Sequence, residues 1–259
     1  MTLPVAIHDR PFCAMPVPDP EVMGLDGLAA RRPGRVMLKG ELPPGVSEQY
    51  RNLAATLHHA RQRDNVRIVM VASAMPGEGK TITATNLALT LSESYRRRVI
   101  IIDADLRRPM MHEVFKLPNV CGVNDALMRD RVVPPAFEIS NRLAVIPAGR
   151  PNPDPLGGLT SPRLKTLVDA AAREYDWVII DTPPVGLLTD ANLVVQLVDA
   201  VVMVIAAATV SYKVLQRAAD ALGRERIIGV VLNRAARATF TSHYGYDGYY
   251  GGYGPGTGA

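Results

Sequence analysis

One stretch of the sequence decides its fold: Ala74-Met75-Pro76-Gly77-Glu78-Gly79-Lys80-Thr81. It follows the pattern G-x-x-x-x-G-K-[ST], in which backbone N–H groups of a tight loop converge on phosphate oxygens. Alanine takes the place of the first glycine, which is acceptable if Ala74 needs no positive φ. A strand-like run at 66–72 enters the loop, and a helix that starts near Lys80 leaves it with its N-terminus facing the phosphates. The predicted nucleotide contacts in this segment are Pro76, Gly77, Glu78, Gly79, Lys80, Thr81 and Ile82.

Outward from this loop, short Val- and Ile-rich runs alternate with helical segments. The runs are nearly continuous in their hydrophobicity, which is typical of strands buried on both faces of a parallel sheet. We therefore predict a three-layer α/β P-loop NTPase fold with a mostly parallel central sheet. The predicted strands are 66–72, 99–102, 143–146, 177–180, 200–206 and 227–232. The predicted helices are 81–93, 162–173, 190–197 and 212–222.

The two ends of the chain differ in composition from this core. Residues 1–45 hold eight of the 21 prolines and show no sustained apolar period, which predicts an extended or disordered leader. Ser47 then fits the N-cap of a helix. Residues 244–259 hold five of the nine tyrosines and seven glycines, a composition that cannot build a packed core. We predict a leader at 1–45, a P-loop domain at 46–240 and a flexible tail at 241–259.

The overall composition favours a soluble protein. The chain has 47% apolar and 21% charged residues, and its net charge of +4 is too small to predict a nucleic-acid partner. Cys13 and Cys121 match neither a disulfide framework nor a metal site, so a cytoplasmic location suits them. The first residues lack the layout of a signal peptide, and the longest apolar run, 200–208, is about half of a membrane span. Another protein would have to bring this chain to a membrane.

Carboxylates follow two of the predicted strands, at the sheet edge where open α/β folds bind ligands. These are Asp103 and Asp105 in one segment and Asp181 in the other. Asp181 is the expected magnesium partner, direct or indirect, because Mg²⁺ bound to a nucleotide needs only one or two protein carboxylates. In an extended strand Asp103 and Asp105 would point to the same side. One could support the metal while the other takes a proton from an attacking hydroxyl; the alternative is that these carboxylates only cap helices.

Two further polar residues have ambiguous roles. Asn233 ends the last predicted strand and could read the edge of the base, or simply form a turn. Arg107 follows the aspartates and could contact phosphate, or lie in a solvated turn.

Taken together, these residues resemble the bacterial tyrosine kinases that control capsule and exopolysaccharide synthesis. The resemblance rests on the loop 74–81 and on the segments 100–109 and 178–184, and it covers about 45–233 plus the tail. It implies ATP and Mg²⁺ as cofactors, with Lys80 and Thr81 on the β/γ-phosphates and magnesium. It also implies that Asp103 and Asp181 support the metal and that Asp105 is the base. By the same resemblance, neighbouring subunits would phosphorylate the tail at Tyr244, Tyr246, Tyr249, Tyr250 and Tyr253.

The resemblance also implies partners. The family forms rings through a helix with the pattern E-x-x-R-x-x-R; Glu48 and Arg51 fit it, but the third position is Ala54. A homo-oligomer is therefore expected, with a ring interface that is weakened or rearranged. The other implied partners are a separate membrane activator (a polysaccharide co-polymerase), which recruits the kinase to the inner face of the membrane, and a cognate tyrosine phosphatase. No nucleic-acid partner is expected.

Two alternatives compete with the kinase. Partition and division-site ATPases carry an early lysine in the loop that reaches across a dimer, but Met75 stands at that position here. A pseudo-kinase could hold ATP and use the Gly/Tyr tail as an adhesive segment. Intact Lys80, Thr81 and the three aspartates argue against that second alternative.

Overall fold

A computed structural model describes residues 13–16, 44–128, 134–186 and 190–235. The tyrosine tail and nearly all of the predicted leader lie outside these described residues. No helix within the described ranges combines the length and apolar character that crossing a bilayer requires.

In the part of the chain that the structure describes, eight strands form one central sheet, in the order β1-β4-β5-β3-β6-β2-β7-β8. Neighbouring strands pair in parallel except for β4 and β5, which are antiparallel. The strands are β1 (Cys13–Pro16), β2 (Ile68–Ser73), β3 (Val99–Asp103), β4 (Pro135–Ser140), β5 (Leu143–Ile146), β6 (Trp177–Asp181), β7 (Ala200–Ala206) and β8 (Ile227–Asn233). All six predicted strands are confirmed, with ends that differ by at most two residues.

Helices cover the sheet on both sides. They are α1 (Pro44–Asp64), α2 (Lys80–Glu93), α3 (Met111–Phe115), α4 (Val123–Met128), α5 (Leu156–Leu159), α6 (Pro162–Glu174), α7 (Asp190–Val194) and α8 (Tyr212–Leu222). Two short 3₁₀ helices, Val195–Leu197 and Arg224–Arg226, follow α7 and α8. The predicted helix at 190–197 therefore divides into an α and a 3₁₀ part.

The beginning of the domain corrects two predictions. Helix α1 starts at Pro44, so Ser47 lies within the helix and is not its N-cap. Proline is tolerated there because a first-turn N–H has no helical acceptor in any case. The predicted leader also contributes strand β1, which pairs with β4 at the sheet edge. Strand β4 was missed because it is short, begins with a proline and is exposed over its second half.

The core consists of two apolar clusters, one on each face of the sheet. Strand β3 contributes Ile100 and Ile102 to the first, and Val99 and Ile101 to the second. Residues of α6, α7 and α8 complete the first cluster, and residues of α1 and α2 complete the second. Alternation across a fully buried strand explains why its sequence is apolar throughout, and the predicted three-layer fold is confirmed.

Candidate active site

The phosphate loop connects the end of β2 to the start of α2. Gly77 and Gly79 have φ angles of 76° and 103°, in the region that favours glycine. Gly79 is constrained twice, because a Cβ there would lie 2.2 Å from Asn233 Nδ2. Ala74 is fully buried and is not among the described residues with positive φ. Alanine is therefore compatible with the first position of the loop, as the sequence analysis required.

Three side chains form hydrogen bonds to the backbone of this loop. We call their residues, Glu78, Asn233 and Arg234, the loop brace. The buried Glu78 carboxylate accepts hydrogen bonds from Met75 N (2.6 Å) and from Ala206 N at the end of β7 (3.0 Å). Asn233 Nδ2 donates to Glu78 O (2.8 Å), and Arg234 Nη2 donates to Gly77 O (2.6 Å).

The brace changes the roles predicted for two residues. The Glu78 carboxylate is already hydrogen-bonded to backbone N–H groups of the protein. Only the backbone of Glu78 is therefore left to contact a nucleotide. The Asn233 side chain contacts the loop, and its carbonyl oxygen accepts a bond from Arg234 N (2.9 Å). Base recognition by Asn233 remains a prediction. Sequence reasoning missed Arg234, and nothing in the motif indicates it, because its contact exists only once β8 lies beside the loop.

Two carboxylates face each other at the carboxyl ends of adjacent strands. Asp103 of β3 and Asp181 of β6 are register partners, and both are buried. The Asp103 carboxylate accepts bonds from Asp105 N (3.2 Å) and Met111 N (3.1 Å). The prediction that these carboxylates are mere helix caps fails for Asp181, which lies next to Lys80 and Thr81 of the loop.

Asp105 lies beyond the end of β3, so the extended-strand geometry predicted for Asp103 and Asp105 is wrong. The chain turns after Asp103, and Asp105 Oδ1 accepts a bond from Arg108 N (3.1 Å). Asp105 nevertheless stays within electrostatic reach of Lys80 and Asp181. The structure thus brings Lys80, Thr81, Asp103, Asp105 and Asp181 together at one edge of the sheet.

Burial and mutual repulsion make this acidic group unusual. Burial raises the pKa of Asp181 to about 6, although Lys80 and a hydrogen bond from the Thr81 hydroxyl act in the opposite direction. Burial, followed by the neighbouring Asp181 charge, raises the pKa of Asp103 well above its ordinary value. Burial also raises the pKa of Asp105. A cation placed among these groups would favour their charged forms.

The residues fit a magnesium ion. Asp181 Oδ1 is buried and has no hydrogen-bond partner in the described structure, and the Thr81 hydroxyl lies against the same carboxylate. Hydroxyl and carboxylate oxygens are ligands that Mg²⁺ prefers. The described ranges contain no set of three His, Cys, Asp or Glu residues arranged to hold a metal by themselves.

Arg107 pairs with Asp190 in this structure, and its contact with phosphate remains a prediction. Its Nε and Nη2 atoms form a bidentate pair with Asp190, at 2.6 and 3.1 Å, and Nη1 donates to Pro153 O. Asp190 is almost fully buried at the start of α7. Arg107 therefore ties the loop that follows β3 to α7 and to the loop before α5.

The predicted oligomer residues lie on α1. Glu48 and Arg51 form an ion pair with each other within the helix, at 3.2 Å. Ala54 is fully buried in the second core cluster. The third position of the family pattern therefore faces the domain's own core here.

Comparison with known proteins places this geometry in a class. The ParA family, described as NUBPL iron-transfer P-loop NTPase, matches residues 65–245. The fold and the phosphate loop thus define a ParA-type P-loop NTPase, a class of nucleotide-binding proteins.

The relatives narrow the class further. The tyrosine-protein kinase YwqD of Bacillus subtilis is 34% identical over 206 residues, which cover 78% of this chain and 86% of YwqD. The structure of the chimerical protein CapA2B2 matches with a TM-score of 0.68 at 27% identity. The match covers 86% of this chain and 93% of the CapA2B2 chain. The kinase domain of the Escherichia coli tyrosine kinase ETK has a TM-score of 0.64 at 29% identity, over 73% of this chain and 77% of its own. The chain belongs to the bacterial tyrosine-protein kinase family, and it is a protein-tyrosine kinase rather than a partition-type ATPase.

Proposed function

We propose that this kinase uses ATP and Mg²⁺ to phosphorylate its own C-terminal tyrosines in trans, and that this regulates capsular or extracellular polysaccharide synthesis and export. The observation that carries the proposal is the convergence of Lys80, Thr81 and three aspartates at one edge of a parallel sheet. Phosphoryl transfer needs mainly positioning and charge neutralisation, and this group supplies both.

The division of labour among the aspartates follows from their contacts. Thr81 and Asp181 are the magnesium ligands, because Asp181 has an unpartnered oxygen beside the Thr81 hydroxyl. Asp103 supports Asp181 from the neighbouring strand, since backbone N–H groups already bond both of its oxygens. Magnesium, when bound, neutralises charge on the phosphate oxygens.

Asp105 is the proposed base. It is the least buried of the three carboxylates, and burial still raises its pKa, which makes it a better proton acceptor near neutral pH. A tail tyrosine oxygen would attack the γ-phosphorus while the bond to the ADP oxygen breaks. The tyrosine proton passes to Asp105, and Lys80 stabilises the charge on the transferring group.

The acceptor tyrosines, Tyr244 to Tyr253, lie outside the described residues. A glycine-rich tail has few steric restrictions, so several tyrosines could each reach a neighbour's site. We also propose a homo-oligomer, a separate membrane activator that recruits the cytoplasmic kinase to the membrane, and a cognate phosphatase. The exposed Glu48 and Arg51 support a contact through α1, although buried Ala54 requires that contact to differ from the family pattern.

Mass-spectrometric mapping of phosphate after incubation with ATP and Mg²⁺ tests the proposal. We expect phosphotyrosine within 244–253, its loss in Lys80→Met, and its retention in Lys213→Met, which removes an exposed lysine from α8. Mixing Lys80→Met with an active variant whose five tail tyrosines are phenylalanine should label Lys80→Met, because transfer is in trans. ATP binding without phosphotyrosine, even with the membrane activator present, would identify a pseudo-kinase and refute the proposal.

A further inference from the structure

The sheet edge opposite the phosphate loop carries a group of arginines that the kinase mechanism does not use. We call Arg61, Arg67, Arg97 and Arg98 the arginine cluster. They come from the end of α1 and from the residues just before β2 and β3, and they surround the Tyr175–Asp176 turn that precedes β6. Because β2, β3 and β6 are parallel, this turn is about 15–20 Å from the carboxyl ends of those strands, at roughly 3.3 Å per residue.

Aromatic rings and backbone carbonyls fix three of these four guanidinium groups in place. The Arg61 guanidinium lies 5.5 Å from the centre of the Trp177 ring, and that of Arg98 lies 5.1 Å from the Tyr175 ring. Arg67 Nη2 donates to Tyr175 O at 3.2 Å. Stacked, planar guanidinium groups remain able to bind phosphate oxygens through their outer N–H groups.

The protein neutralises only part of this positive charge. Asp176 pairs with Arg61 (Nη2–Oδ1, 2.9 Å), and its other oxygen accepts a bond from Arg98 N. Asp199, another carboxylate at this edge, is engaged by the backbone N–H groups of residues 67 and 68. Neither Arg67 nor Arg97 forms an ion pair within the described structure, and the Nε atoms of both are buried without an acceptor.

The arginines also repel one another. The pKa of the Arg61 guanidinium is lowered first by burial, and then by the charges of Arg67 and Arg97, while Asp176 opposes the shift. An anion at this edge would relieve that repulsion.

We propose that the arginine cluster binds the phosphate headgroups of an anionic membrane surface. A membrane suits this edge better than one soluble phosphate, because the arginines are spread over the ends of three separate elements. Arg96 and Arg98 are exposed on the loop between α2 and β3 and would meet the surface first. Docking in this orientation turns the phosphate loop away from the membrane, where a neighbour's tail can enter it. The proposal does not depend on kinase activity.

Vesicle sedimentation with the full-length chain tests this binding. One set of vesicles contains phosphatidylcholine alone, and the other also contains about one-third phosphatidylglycerol. We expect the wild-type chain to sediment with the vesicles that contain phosphatidylglycerol and not with those of phosphatidylcholine alone. The variant Arg67→Gln/Arg97→Gln should partition about 30-fold more weakly, since each basic residue near an anionic surface contributes roughly a fivefold step.

A matched variant distinguishes an effect of the arginine cluster from an effect of the protein's total positive charge. Lys213→Gln/Arg217→Gln removes the same charge from exposed positions of α8, and it should bind vesicles as the wild type does. If Arg67→Gln/Arg97→Gln does not fold, Arg96→Gln/Arg98→Gln replaces it, because both of those side chains are exposed. Autophosphorylation in solution should persist in every variant of the cluster, which keeps a failure here distinct from a failure of the proposed kinase function.

Three results would overturn the proposal: no binding to anionic vesicles, equal loss in the α8 control, or unchanged binding in both cluster variants. A calorimetric titration of tripolyphosphate provides a fourth such result. The protein is first saturated with Mg-ADP, so that tripolyphosphate does not bind at the phosphate loop. If tripolyphosphate binds and Arg67→Gln/Arg97→Gln abolishes that binding, while anionic vesicles do not bind, the cluster is a site for soluble phosphates instead.

Discussion

Replacing Asp181 with asparagine should destroy activity and at the same time stabilise the nucleotide-free domain at neutral pH. Burial raises the pKa of this carboxyl to about 6, against about 3.9 in an unfolded chain. Between those two values the folded protein binds more protons than the unfolded chain, so the free energy of unfolding falls as the pH rises. Well above pH 6, ionised Asp181 lowers the free energy of unfolding by its full amount. A shift of about two pKa units corresponds to about 3 kcal/mol.

Asparagine keeps the shape of the side chain and cannot ionise. Its new amide group brings a roughly pH-independent change, so the informative quantity is the difference between variant and wild type as a function of pH. We expect the variant to gain about 3 kcal/mol relative to wild type between pH 4 and pH 7.5. The Asp103 carboxyl should add to this gain, because the Asp181 charge helps to raise its pKa.

Urea denaturation in EDTA at pH 4, 5, 6 and 7.5 measures this difference. Asp190→Asn is the matched contrast, because Asp190 is equally buried but pairs with Arg107. Removing its charge leaves that guanidinium without its partner, and we expect a loss of about 2 kcal/mol. This is less than the 3–5 kcal/mol typical of fully buried pairs, since the Arg107 side chain is 25% exposed. If the two variants show the same pH dependence, or Asp181→Asn tracks the wild type from pH 4 to 7.5, the electrostatic argument is wrong.

Three further changes test the loop and α1. Gly79→Ala should abolish ATP binding, measured by calorimetry, because φ at this position is 103° and the added Cβ would lie 2.2 Å from Asn233 Nδ2; the double variant with Asn233→Ala should remain inactive, since the backbone strain persists. Arg234→Ala should raise the KM for ATP about tenfold with little change in kcat, because it removes the bond to Gly77 O and that bond positions the loop; a change confined to kcat would contradict this. Ala54→Arg should unfold the domain rather than restore a ring, since the position is fully buried; a folded variant that forms larger assemblies by light scattering would disprove it.

The strands and the loop could be predicted because their signals are local. A strand buried on both faces, such as β3, is apolar at every position before its final Asp103, and the residues of the loop pattern indicate phosphate binding directly. The positions of Asp103 and Asp181 also followed from sequence, because parallel strands bring their carboxyl ends to one edge. Asp105 was misplaced because the end of β3 depends on hydrogen bonds that Asp103 makes to the backbone beyond it.

The loop brace and the Arg107–Asp190 pair could not be predicted, because each joins residues far apart in the chain. Glu78 occupies a variable position of the loop pattern, yet its carboxylate connects Met75 N to Ala206 N, 128 residues away. Arg107 reaches Asp190, 83 residues away. A polar side chain beside a phosphate site is naturally expected to contact phosphate, and only the neighbouring strands reveal that it is already engaged.

The contrast between Asp181 and Asp190 explains how one residue type serves two purposes in this domain. Both carboxylates are almost completely buried. Asp190 is paired with a guanidinium inside the protein, so its charge is compensated and it holds two loops together. Asp181 faces another carboxylate and keeps an oxygen without a partner, so Lys80 and Thr81 compensate its charge only in part until a metal cation arrives. The cost in stability at Asp181 and the proposed affinity for a magnesium–nucleotide complex therefore have the same origin. A substitution such as Asp181→Asn that removes the charge, and with it the cost in stability, should therefore also weaken the binding of a magnesium–nucleotide complex.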